Sequence, residues 1–223
     1  IFYEQGLGKT YTTINLACAW RMSNLIDAVV VFCPSSIKLV WSDELGTHSP
    51  LPTQVHTLTS GKYGAATKFI DNKTDFQWMI VGVEGMSQGN AADYVEKFCL
   101  GRRVLMVVDE SSRIKTPNKI RTDKIISLGK LAKKRVILSG TSVTQGIEDL
   151  YTQYKFIDKN IIGYDSYYSF RAQYCVTMNM TVGYDDRGNE KTVQKIIGYK
   201  NEDELMRLIR PVTERVEKAD ALD

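Results

Sequence analysis

The stretch IFYEQGLGKTYTT, Ile1–Thr13, contains the string that decides the fold, Gly6-Leu7-Gly8-Lys9-Thr10. Glycines in such a loop let backbone N–H groups approach phosphate oxygens, and a lysine there reaches the β- and γ-phosphates. The hydroxyl of Thr10 is placed to ligate Mg²⁺ at the N-terminus of the following helix, with Tyr11 beside it on the first turn. The nucleotide contacts predicted here are Gly6, Gly8, Lys9, Thr10 and Tyr11. The full phosphate-loop pattern has a glycine five residues before Gly8, where this chain has Tyr3. By itself, then, the string also fits an ordinary glycine-rich turn before a helix.

Working outward, VLMVVDESSRIK (Val104–Lys115) shifts that balance. A hydrophobic strand ending in Asp109-Glu110 is what a Walker B element requires. Asp109 would hold Mg²⁺, directly or through water, and Glu110 would orient and deprotonate the attacking water. Lys9, Asp109 and Glu110 are therefore the predicted catalytic set, and Thr10 and Asp109 the predicted metal ligands. Acidic residues commonly end strands, but a phosphate loop followed in order by such a strand is far more specific. A third element, RVILSGT (Arg135–Thr141), ends in Ser139, Gly140 and Thr141. It puts two hydroxyls and a pliant backbone at the carboxyl edge of a sheet, where ligands bind in such folds. Following the other two, it reads as a coupling element.

The segments between these motifs have the matching pattern. AVVVFCP (Ala28–Pro34), WMIVGV (Trp78–Val83), Val104–Glu110 and Arg135–Thr141 are short apolar runs rich in β-branched residues. Runs apolar on both faces indicate strands covered on both sides, as in a parallel sheet. Helical patterns over Thr10–Met22, Ser36–Glu44, Ala92–Leu100 and Arg121–Leu131 alternate with them, which predicts βαβ units and an α/β, doubly wound architecture. After Ile157 the chain becomes tyrosine-rich. Two strand-like stretches flank DDRGN and predict a β-hairpin. NEDELMRLIRPV then predicts a helix capped by Asn201 and stopping near Pro211. The closing TERVEKADALD reads as a polar run leading out of the domain.

Composition sets wider bounds. With 223 residues, 43 % hydrophobic and 25 % charged, the chain has enough apolar residues for one sizeable core. The net charge of +3 is too mild to name a partner. There is no apolar run long enough to span a membrane and no signal peptide pattern. Cys18, Cys33, Cys99 and Cys175 lie far apart with no Cys-x-x-Cys pair, which predicts reduced, mostly buried thiols rather than a zinc site.

Taken in order, EQGLGKT, VVVFCPSSIKLVWSDEL, VVDESSRIKTPNKIRT and RVILSGTSVTQGIEDLYTQYKFI resemble the first RecA-like lobe of a superfamily-two helicase, more narrowly the Swi/Snf-type ATPases and their compact phage and bacterial members. The resemblance is specific over 1–157 and looser beyond. It implies a RecA-like P-loop ATPase lobe over 1–157, shortened at its N-terminus by loss of the element that reads adenine. Residues 158–223 would be a hairpin-and-helix extension leading toward a second lobe not contained in the chain. It implies ATP and Mg²⁺ as cofactors, translocation on duplex DNA through backbone contacts, a bacterial or phage-infected cytoplasm, and no membrane. Ser112 stands where the family has a coupling histidine, and Ser142 where it has proline. The family's arginine finger belongs to the second lobe, so this chain by itself is expected to hydrolyse ATP slowly.

For nucleic acid, the resemblance points to Ser35, Ser36, Lys38 and Lys115. Nine basic residues lie between Arg113 and Arg135, with Asp123 the only acid among them. They fit either a phosphate-neutralising patch or, over Lys130–Arg135, a solvated helix face. Trp41 reads as core, and the tyrosines as ordinary half-buried strand residues. Two other functions compete. A small-molecule P-loop kinase is opposed by the third motif and the basic segment. A catalytically incomplete nucleic-acid-binding or regulatory module is opposed by the intact Lys9, Asp109 and Glu110.

Overall fold

The structure, a computed structural model, describes the chain except residues 60, 62, 74, 141–145, 185, 188, 189, 222 and 223. Thr141 and Ser142 therefore lie outside the described residues. Strand β1 (Phe2–Tyr3) leads through the glycine loop into helix α1 (Lys9–Met22). Then come β2 (Ala28–Cys33), α2 (Lys38–His48), β3 (Thr53–Leu58), α3 (Tyr63–Asp71), β4 (Phe76–Gly82), α4 (Ala91–Cys99), β5 (Val104–Val108), α5 (Ile120–Gly129) and β6 (Lys134–Ile137). Five strands form one wholly parallel sheet in the order β3-β4-β2-β5-β6.

Every residue of β2, β4 and β5 is buried. These are the continuous apolar runs of the sequence, and their burial on both faces is why they do not alternate. Alternate residues divide between two cores. Val30, Phe32, Met79, Met106 and Val108 face one layer, and Val29, Val31, Trp78, Ile80, Leu105 and Val107 face the other, against Ile14 and Cys18 of α1 and Trp41 and Leu45 of α2.

The sequence reading omits β3 and α3. Strand β3, TQVHTL, is an edge strand with five of its six residues only half-buried, so its polar residues hide the pattern. Ser36, expected in a helix, lies instead in a 3₁₀ turn (Ser35–Ile37) ahead of α2.

Helices α6 (Leu150–Ile157), α7 (Lys159–Ile162) and α8 (Tyr167–Tyr174) follow. Phe170 and Tyr174 share a core with Leu150, Tyr151 and Tyr154. Tyr151, Tyr164, Tyr167, Phe170 and Tyr174 meet one another there in tilted and edge-on ring contacts, so most of the tyrosine-rich segment is packing. Strands β7 (Cys175–Tyr184) and β8 (Glu190–Tyr199) form the expected antiparallel hairpin and stand largely exposed.

Two expectations fail near the end. Asn201 does precede helix α9 (Glu202–Ile209), but it sits at φ +54° with no side-chain cap. Its amide donates to the Gln173 carbonyl instead. The closing segment does not lead away. Strand β9 (Arg215–Val216) pairs in parallel with β1, and the Lys218 N–H, opening helix α10 (Lys218–Ala221), donates to Glu4. Strand β1 in turn bridges Ser139, just past β6. Strand β1 is thus held between β9 and the end of β6, and the glycine loop follows it at the carboxyl edge of the sheet. No helix among the described residues is long and apolar enough to cross a membrane.

Candidate functional site

The loop turns on two glycines. Gly6 has φ +91° and Gly8 φ +77°, a region where any Cβ is strained. Gly8 then caps α1 in the left-handed conformation, which leaves the first N–H groups of the helix free of side-chain caps and open to an anion. The Lys9 ammonium curls back over the loop and donates to the carbonyls of Tyr3 (3.0 Å) and Glu4 (3.4 Å). A phosphate oxygen would exchange these neutral acceptors for a charged one. Thr10 follows, partly exposed. Tyr11 is 53 % exposed and stands edge-on to His48 of α2, at the rim rather than in the loop.

Asp109 ends β5, with its N–H donating to the Phe32 carbonyl of β2. It is 6 % exposed, and both carboxylate oxygens are held. Oδ1 accepts the Glu110 N–H and Oδ2 accepts the Trp41 indole N–H, each at 2.9 Å. Burial pushes its carboxyl above the usual range, against the pull of Trp41, the Glu110 N–H and Lys9. Glu110 is also raised, first by burial and then by the charge of Asp109, with Lys9 and Arg113 opposing. Lys9 thus acts electrostatically on both acids, as a shared phosphate site requires. Glu110 sits at φ +49°, ψ +58°. A non-glycine residue in that region is uncommon and costs about 1–3 kcal/mol, and strain of this kind gathers at functional sites.

Past Glu110 the chain returns to β6. The Ser111 N–H donates to the Leu138 carbonyl. The Ser111 hydroxyl, fully buried, donates to Gln153 Oε1 of α6 at 2.5 Å. Gln153 Nε2 donates to the Asp149 carbonyl, and the Asp149 carboxylate pairs with Lys115 at 3.0 Å. So Ser111, next to the predicted Ser112, makes the bond toward α6. Ser112 is half-buried and makes no side-chain hydrogen bond among the described residues. Ser139 is 2 % exposed. Gly140 lies so near the loop that a Cβ there would stand 3.8 Å from Lys9 Nζ.

The predicted nucleic-acid residues occupy the same edge beyond β2 and β4. The Ser35 N–H and hydroxyl both donate to one Glu84 oxygen, at 3.0 and 2.8 Å, and Arg113 approaches the other at 3.7 Å. Burial by itself would raise the Glu84 carboxyl, but the Ser35 hydroxyl, the backbone N–H groups and Arg113 outweigh it and hold it below its ordinary range. The arrangement needs Gly82, where a Cβ would lie 2.3 Å from the Ser35 hydroxyl. Lys38 donates to the Leu58 carbonyl at 3.2 Å, and Ser36 is exposed. Lys115 is committed to Asp149 rather than presented to solvent.

The sequence reading missed Glu84, Trp41 as a polar partner, and the Ser111–Gln153 bond. Nothing in a single sequence signals the partners of the Glu84 carboxylate.

Oxygen donors from one carboxylate and one hydroxyl suit Mg²⁺, which keeps several waters and takes other ligands from phosphates. No cluster of three or more His, Cys, Asp or Glu able to hold a metal occurs among the described residues.

A family model for the SNF2-related domain matches residues 1–220. The chain is 26 % identical over 188 residues to the SWI/SNF-related matrix-associated actin-dependent regulator of chromatin subfamily A-like protein 1 of Bos taurus, covering 83 % of this chain and 18 % of that protein. It is 25 % identical over 183 residues to the DNA repair and recombination protein RAD54 of Saccharomyces cerevisiae, covering 72 % and 19 %. It therefore spans about a fifth of the length of these relatives. Among solved structures, the Sulfolobus solfataricus SWI2/SNF2 ATPase core in complex with dsDNA superposes with a TM-score of 0.70 at 21 % identity, covering 99 % of this chain and 40 % of that one.

Proposed function

The chain belongs to the SNF2-related domain family, and we propose that it is the nucleotide-gripping lobe of an ATP-driven motor on duplex DNA. The observation that carries this reading is the convergence of Lys9, Asp109, Glu110 and Gly140, from separate segments, on one edge of the sheet. The Gly6–Gly8 turn and the N-terminus of α1 bind the phosphates. Lys9 moves from the Tyr3 and Glu4 carbonyls to the β- and γ-oxygens. Thr10 and Asp109 would hold Mg²⁺, which when bound neutralises charge developing on the phosphates. Glu110, raised toward the working pH and held in a strained bend, accepts the proton of the attacking water.

Duplex DNA is supported by the relative solved with dsDNA and by Ser35, Ser36 and Lys38 on the same edge as the loop. Lys115 serves better as a strut between β5 and α6 than as a phosphate contact. A second lobe, supplied by further sequence or another chain, closes the cleft and brings the arginine finger, typically worth ~10³–10⁵ in rate. Four buried free thiols favour a reducing compartment, in keeping with a bacterial or phage-infected cytoplasm.

The test is binding of a fluorescent ATP analogue with Mg²⁺ to the chain and to Lys9→Ala. Loss of binding in the variant is expected. Equal binding by both proteins sinks the nucleotide-site reading.

A further inference from the structure

Trp41 is 1 % exposed and belongs to the core between α1, α2 and the sheet. A buried indole N–H needs an acceptor, and the acceptor here is an oxygen of Asp109, 68 residues away in sequence, at 2.9 Å. The other Asp109 oxygen is fixed by the Glu110 N–H. Two N–H donors on two oxygens set the carboxylate plane and leave each oxygen a free lone pair. Helix α2, which carries Trp41, starts at Lys38, directly after the turn that holds Ser35. That turn is anchored by Glu84, and Lys38 by the Leu58 carbonyl. The outer face of the same helical turn exposes Leu39 and Val40, at 70 % and 50 %. A rigid helix thus has the predicted nucleic-acid turn at its start and, one turn later, a hydrogen bond to the predicted metal carboxylate.

We infer that Trp41 is a positioning residue for Asp109, so that the placement of α2, and with it the Ser35–Lys38 turn, sets the affinity of the nucleotide complex for Mg²⁺. This rests on the reading of Asp109 as the Mg²⁺ ligand. No covalent step is involved. A bulk-packing role for Trp41 predicts lower stability when the ring is changed. The positioning role predicts a change in metal dependence when only the N–H is removed.

The experiment compares the full 223-residue chain with Trp41→Phe and with the chain carrying 3-benzothienylalanine at position 41. The analogue keeps the bicyclic shape and replaces the N–H by sulfur, so it remains informative if the smaller phenyl ring fails to fold. Mg²⁺ is titrated into each protein with fluorescent ADP. A hydrogen bond to a charged group is worth on the order of ten- to a hundredfold in an equilibrium constant. Part of that goes to orienting one oxygen, so the Mg²⁺ half-saturation is expected to rise about three- to tenfold. Nucleotide affinity without Mg²⁺ stays within about twofold. A second readout needs neither nucleotide nor metal. Of the three tryptophan indole N–H resonances, that of Trp41 should shift in Asp109→Asn while those of Trp20 and Trp78 hold. Unchanged Mg²⁺ half-saturation in the analogue, with wild-type binding intact, overturns the inference alone, as does an unmoved Trp41 resonance. Absence of Mg²⁺-dependent nucleotide binding in the wild type overturns the nucleotide-site reading and this inference with it.

Discussion

Replacing Ser111 by Ala and Gln153 by Met, singly and together, probes the connection between strand β5 and α6. Ser111 is fully buried and Gln153 only 4 % exposed, with 2.5 Å between hydroxyl and amide oxygen. Ser111→Ala strands Gln153 Oε1 without water, and an orphaned buried acceptor costs about 1–3 kcal/mol. Gln153→Met strands the hydroxyl and also removes the donor to the Asp149 carbonyl, so it costs somewhat more. In the double variant neither group remains to be stranded. Its loss should therefore fall short of the sum of the single losses by about 1–2 kcal/mol. For a chain of this length about 1 kcal/mol moves Tm by roughly 2–4 °C, so each single change is visible by melting, and urea unfolding at constant slope gives the cycle directly.

The same cycle decides which serine makes the connection. Ser112→Ala should change stability by less than about 0.5 kcal/mol, since its half-buried hydroxyl bonds to nothing among the described residues. A coupling below about 0.3–0.5 kcal/mol, the range seen for independent sites, refutes the bond as a structural connection. So does a larger loss from Ser112→Ala than from Ser111→Ala.

Two further outcomes follow from the same edge of the sheet. The Glu84 carboxyl is held below its ordinary value near 4.5, so its contribution to stability is present above that pH and disappears as pH falls through the folded-state value. Glu84→Gln should therefore lose less stability than the wild type below about pH 4.5. For side chains this exposed, 43 % at Glu84 and 50 % at Arg113, the difference should stay within about 1 kcal/mol, and parallel acid-unfolding curves for the two proteins count against it. In duplex DNA binding, Lys119→Ala with Arg121→Ala should weaken affinity and flatten the salt dependence by about 1–2 in slope, while Lys130→Ala with Lys133→Ala leaves both unchanged. The opposite ranking, read by fluorescence anisotropy over a salt series, refutes the assignment of the DNA edge.

The central strands were legible because they are buried on both faces, so composition alone marks them. The edge strand TQVHTL was not, since five of its residues are only half-buried and nothing forces an apolar run. The motif order brings Lys9, Asp109 and Glu110 to one edge because the sheet itself fixes the chain positions after β1 and β5. What escaped was contact across the chain. Asp109 meets Trp41 from a separate helix, and Glu84 meets Ser35 only because Gly82 lacks a side chain. The choice of Ser111 over Ser112 also depends on conformation. The left-handed turn at Glu110 re-aims the residues that follow, and no periodicity shows such a turn. At Asn201 the residue type was right for a cap, but a tertiary acceptor, the Gln173 carbonyl, took the amide.

The basic segment Arg113–Arg135, contiguous in sequence, is divided by the helix inside it. Helix α5 leaves the carboxyl edge after Lys119 and runs back to the start of β6 at Lys134. Its ten residues span about 15 Å. The Debye length at physiological salt is roughly 8 Å, so exposed charges at the two ends of α5 are largely screened from each other. Members of both groups are also engaged locally. Lys115 is bound to Asp149 and Arg113 to Glu84. At the far end Lys134 lies over the Trp20 ring and Arg135 donates to the Gly129 carbonyl. Lys130–Arg135 does not form the solvated helix face expected of it: α5 ends at Gly129, and Lys134 and Arg135 are half-buried in β6, which begins at the edge opposite the glycine loop. A nucleic acid lying across Ser35 and Ser36 meets only the cations that precede α5 or lie in its first turn. Of the basic segment, only the cations after β5 and in the first turn of α5 therefore lie on the edge that carries Asp109 and Glu110.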